Sequence, residues 1–94
     1  MRERIKLAIS NYYLELNKSF IHQYLSEIYR YEKDNLMKSL IKEVIYLNKY
    51  YLTFIMDKYI SESTYFRLKN QLIDKIYHLL ILDNKVTREE ILND

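Results

Sequence analysis

Asp74 and His78 stand four residues apart, the spacing that brings two side chains onto one face of a helix. A carboxylate and an imidazole so placed can share a metal ion. A zinc or calcium site needs more ligands than that, and none recurs at matching spacing. The pair is therefore read as a surface ion pair and no metal is expected. The other histidine, His22, lies beside an apolar stripe and is read as a residue at the edge of the core. Glu89 and Glu90 place two carboxylates together, but inside Thr87-Arg88-Glu89-Glu90. That is a capping box, with Thr at the cap and Glu three residues later. Asp83-Asn84-Lys85-Val86-Thr87 looks like the end of a calcium loop. The glycine such a loop turns on is missing, and Leu79-Leu80-Ile81-Leu82 before it offers no side-chain oxygen. No Ser or Thr stands with both a base and a third, orienting group, as nucleophilic catalysis requires. The expectation is no enzyme and no cofactor.

Binding chemistry has more to work with. Lys38, Lys42, Tyr46, Lys49, Tyr50 and Thr53 fall on one side of a helix. Lysine there can meet phosphates and tyrosine can stack on bases, which makes this a candidate nucleic-acid face. The same mixture suits a second protein partner, since tyrosine adds contact area at low entropic cost. A solvated face with snorkelling lysines is the plain alternative. A separate seam runs Leu7, Leu14, Ile21 and Ile28 at sevenfold spacing, with Leu25 beside it. Such a seam suits a helix from another subunit, and an uncovered apolar patch usually marks an interface. A fourth element of the same chain covering it is the plain alternative.

The elements that position these residues are set by what the chain lacks. It has no Gly, no Pro and no Cys. Without glycine there is no phosphate-cradling loop and no dinucleotide fingerprint. Without cysteine there is no disulfide framework, no thiolate metal site and no thiol nucleophile. Without either breaker, long helices joined by short polar turns are expected. Apolar residues make up 49% of the chain and charged residues 30%, enough for a core and against disorder. The net charge of +2 divides into +4 over residues 1–82 and −2 over 83–94, a mild basic bias. No apolar run approaches the roughly 20 residues that span a bilayer. No apolar stretch follows the basic start as a signal peptide requires, so a cytoplasmic chain is expected.

Ile5, Ile9, Tyr12, Leu16 and Phe20 recur at threes and fours and predict a first helix over 2–31. The seam named above lies on nearly the opposite side of it. A break at Asn17-Lys18-Ser19 is the other reading. Asp34 caps a second helix over 35–60, with Met37, Leu40, Ile41, Val44, Leu47, Tyr51, Leu52, Ile55 and Tyr59 inward. The third runs 62–82 with Tyr65, Leu68, Leu72, Ile76, Leu79 and Leu80 inward, and a short fourth spans 88–93. The expected fold is all-α: an antiparallel bundle of three long helices plus a short one in a single domain, or a four-helix bundle if the first helix breaks.

In its high Tyr and Ile, its two Gln and its lack of Cys, the composition resembles small proteins of thermophilic archaea or their viruses, many of them accessory subunits of replication or transcription machinery. The rhythm of Leu40-Ile41-Lys42-Glu43-Val44-Ile45-Tyr46-Leu47 through Tyr65 and Leu72-Ile73 resembles bacteriocin immunity proteins, also small helical bundles. That likeness covers under half of the chain and includes no diagnostic motif. The Gly and Pro of that family's loops are absent. It implies a protein that sequesters a toxin or its receptor. The residues themselves favour a helical interaction module: a small subunit or adaptor that binds another protein, or itself, through Leu7, Leu14, Ile21, Leu25 and Ile28. Direct regulation of nucleic acid is a third reading.

Overall fold

The computed structural model describes residues 1–83. The capping box at Thr87, the paired Glu89 and Glu90 and the expected helix over 88–93 lie outside the described residues. Every described element is helical: α1 (Arg2–Ser10), α2 (Tyr12–Glu15), a 3-10 turn (Leu16–Lys18), α3 (His22–Tyr31), α4 (Asn35–Ser39), a π-helix (Leu40–Tyr46), α5 (Tyr51–Lys58) and α6 (Glu62–Leu82). No described helix is long and apolar enough to cross a membrane.

The third expected helix is present over its full length as α6. Ser61 begins it, its Oγ accepting from the Thr64 amide at 3.1 Å. Asp34 likewise caps α4, its carboxylate accepting from the Leu36 amide at 2.9 Å. These caps answer the free amides of a first helical turn and depend on local sequence alone.

The first two expected helices are interrupted, each for its own reason. A helix apolar on two sides cannot bury both stripes against one layer. The break after α2 lets each half bury its own stripe. Ile5, Ile9 and Tyr12 enter the core from α1 and α2; Ile21, Leu25 and Ile28 enter it at the start of and along α3. The remainder of each stripe is turned to solvent: Leu16 and Phe20 from the first, Leu7 and Leu14 from the second. Ser19, the one buried polar or charged residue among those described, holds the elbow. Its carbonyl accepts from the His22 amide at 3.1 Å and its Oγ from the Ile21 amide at 3.4 Å. Tyr12 Oη and His22 Nδ1 share a 2.7 Å hydrogen bond across the break. His22 is half-buried, at the core edge where the sequence puts it.

The second helix widens into a π-helix and then stops. The Leu47 amide donates to the Lys42 carbonyl, five residues back, and the Lys49 amide to the Glu43 carbonyl, six back. A π-turn advances each residue through a smaller angle than an α-turn. Leu40, Ile41 and Ile45 therefore share the core side, while Leu47, inward by α-helical spacing, is exposed. Tyr59, also expected inward, is 96% exposed.

Helices α1 and α3 both pack on α6 and run antiparallel to it. Arg2 at the start of α1 reaches Asp74 at 3.2 Å and lies over the Tyr77 ring. At the start of α3, Tyr24 donates to the Asp83 carboxylate at 2.9 Å; past its end, Lys75 donates to Glu32 at 2.6 Å. The core closes on fully buried Ile5, Ile21, Leu25, Met37, Leu40, Ile41, Phe54, Leu72 and Ile76.

Candidate functional site

Two regions combine exposure or concavity with unusual backbone. The first is the elbow between α1 and α3. Leu7 and Leu14 are 61% and 68% exposed, and Tyr13, Leu16 and Phe20 are exposed beside them in sequence. Leu16 sits at φ 53°, ψ −126°. Glycine favours that region, and a side chain there costs about 1–3 kcal/mol. Arg4 lies over the Phe20 ring at 5.6 Å. Of the expected seam, then, only Leu7 and Leu14 face solvent. Ile21, Leu25 and Ile28 are core residues, at 0%, 0% and 8% exposure.

The expected face of the second helix is divided by the break at residues 47–50. Tyr46 turns inward, against the rings of Tyr12 and Tyr29 at 5.4 and 6.0 Å, and burial pushes its hydroxyl pKa up. Lys38 lies over Tyr29 at 5.0 Å. Lys49 donates to Asp57 at 2.7 Å and Glu43 at 2.9 Å, which hold its amine above the ordinary lysine value. Glu43 also accepts from Lys58 at 2.7 Å. Its hydrogen bonds to Lys58 and then Lys49 hold its carboxyl below the usual range. Lys42, Tyr50 and Thr53 remain exposed, Tyr50 edge-on to Tyr51.

Of the residues that form the second region, Lys49 alone is a sequence candidate. A cavity of about 200 Å³ opens between α1, the π-helix and α6. Ile9, Leu40, Val44 and Ile45 form its apolar wall, and Tyr13, Tyr65, Lys49 and Lys69 reach its rim or lining. Asn48 also lines it, at positive φ of 55° just past the π-helix. Lys69 has no carboxylate partner among the described residues, and burial followed by Lys6 pushes its amine below the ordinary value. The sequence does hold a signal for it. Tyr65, Lys69, Leu72 and Ile76 are spaced by four, three and four, so Lys69 sits on the apolar stripe of α6.

Asp74 pairs with Arg2, and His78 Nδ1 lies 2.7 Å from the Asp74 carbonyl oxygen, so the expected pair is divided between two partners. Among the described residues no three His, Cys, Asp or Glu gather as a metal site would need. A wider groove between α3 and α6 contains Glu32 and Lys75, already paired with each other. No family model, no curated protein and no solved structure matches the chain.

Proposed function

We propose that the chain is a non-enzymatic helical interaction module, a small subunit or adaptor that docks a partner protein on the elbow between α1 and α3. The observation that carries this reading is Leu16. It is half-exposed, so burial repays little of what it costs to hold a leucine in a glycine conformation. Strain of that kind at an exposed apolar side chain fits a contact made outside the chain. Leu7 and Leu14 lie seven residues apart along a nearly continuous helical path and so share a face beside it. Beside this face Lys18 is exposed and Arg4 lies over the Phe20 ring. The partner that fits is an amphipathic helix whose apolar stripe is flanked by acidic residues. Nucleic-acid contact has less behind it, since Lys49 is neutralised by two carboxylates and Tyr46 is packed inward.

The test uses the tagged chain as bait in extract of its source organism, with and without nuclease. The expected result is a stoichiometric partner that survives nuclease and is lost with the double variant Leu7→Lys, Leu14→Lys. That variant should melt at the wild-type temperature, because neither leucine is in the core. Capture of the same partner by the variant overturns the elbow as the docking surface. Recovery only with intact nucleic acid moves the function to Lys42 and Tyr50.

A further inference from the structure

The cavity beside the π-helix joins four features that the partner-docking reading does not use. Its volume of about 200 Å³ exceeds the roughly 150 Å³ that suffices for a benzene ring in an apolar protein cavity, leaving room for one small polar group. Its inner wall is aliphatic and it has tyrosine rings at Tyr13 and Tyr65. A π-helix forms one side, and such helices occur often at functional sites. Asn48 closes that side with positive φ.

The fourth feature is charge. Two lysines line the cavity, and they are not equivalent. Lys49 is matched by Glu43 and Asp57. Lys69 is half-buried, has no carboxylate among the described residues, and has a second cation, Lys6, close enough to repel it. A cation partly withdrawn from water without a counter-charge is costly, and an anion arriving at it regains that energy. A lysine on an otherwise apolar stripe is therefore better explained by a ligand than by the fold.

We infer that this cavity binds a small aromatic monocarboxylate, its ring against the Ile9–Val44–Ile45 wall and Tyr65, its carboxylate at the Lys69 amine. One unmatched cation suits one negative charge. The apolar wall gives a bare phosphate nothing to replace its hydration. Leu7 and Leu14 do not line the cavity, so this site and the docking elbow stand or fall separately.

The experiment is a titration of the full chain with benzoate, followed by calorimetry and by amide shifts. Benzyl alcohol serves as the neutral analogue and inorganic phosphate as the bare anion. Benzoate is expected to bind and to shift the Val44, Ile45 and Tyr65 amides. Benzyl alcohol should bind about tenfold more weakly, the loss of one charge-assisted hydrogen bond. Phosphate should leave those amides unmoved. Lys69→Met keeps the stem and removes the charge. It should weaken benzoate about tenfold and leave benzyl alcohol unchanged, with the thermal midpoint no lower than that of the wild type. Absence of benzoate binding, equal binding of the alcohol, or an unaltered benzoate affinity in Lys69→Met each overturns the assignment. Lys69→Arg, which keeps the charge, should retain binding; a loss equal to that in Lys69→Met would mean that shape and not charge was removed.

Discussion

Replacing Tyr59 by glycine should make the protein more stable. Tyr59 follows α5 at φ 54°, ψ 44°, in the left-handed region. The Ile60 amide donates to the Ile55 carbonyl at 3.2 Å and the Tyr59 amide to the Met56 carbonyl at 3.3 Å. This pair of bonds is the Schellman motif, whose left-handed position is normally glycine. Buried Ile55 and half-buried Ile60 complete it. In a chain without glycine a tyrosine occupies that position, and its Cβ crowds the carbonyl at a cost of about 1–2 kcal/mol. The side chain is 96% exposed, so its removal forfeits almost no burial. Glycine adds unfolded-state entropy worth about 0.4–1 kcal/mol. The difference is a gain of about 0.5–1 kcal/mol, or roughly 2–8 °C in a domain of this size. The assay is thermal and urea unfolding of wild type, Tyr59→Gly and Tyr59→Ala. Alanine keeps the Cβ and should match the wild type within about 0.5 kcal/mol. Equal midpoints for the glycine and alanine variants would refute the left-handed assignment, and with it the argument that this chain carries strain at its turns.

The stripe exchange at the elbow predicts that Ile21→Ala costs about 2–5 kcal/mol while Leu14→Ala, seven residues earlier, stays within about 0.5 kcal/mol; equal costs in urea melts would restore a continuous first helix. Glu43 is held below the ordinary carboxylate value by Lys58 and Lys49. Its stabilisation is complete above the unfolded value of about 4.3 and is lost as pH falls through the lower folded value. Urea midpoints of wild type and Glu43→Gln should therefore differ at pH 7 and converge in acid, and a pH-independent gap would remove the network from the account. Lys69 has the opposite linkage: with its folded value lowered, the charged amine weakens the fold below that value, and the penalty fades as pH rises toward the unfolded value of about 10.4. Lys69→Met should raise the thermal midpoint at pH 7, with the advantage shrinking toward pH 10; a gain that grows with pH would contradict it.

What could be read without the structure was local. The cap at Asp34 depends on a side chain two residues from the amide it satisfies. Helix α6 has one apolar stripe, broken only by Lys69, so its span and its buried Tyr65, Leu68, Leu72, Ile76 and Leu80 follow from periodicity. The two stripes of residues 5–28 were equally legible, but spacing does not say which half of each stripe is covered. That depended on α6, which offers one surface to both α1 and α3 and so forces the elbow between them. The π-helix is likewise invisible to a 3.6-residue period, because its register is chosen by what Leu40, Ile41 and Ile45 must reach. Lys49 joined Glu43 and Asp57 only once the chain turned back at residues 47–50. The sequence by itself determined an all-helical chain, its caps and its apolar faces, since these arise from neighbours along the chain. Tertiary structure decided where the helices break, which leucines face water and that Lys69 lines a cavity, since these depend on surfaces brought together from distant parts of the chain.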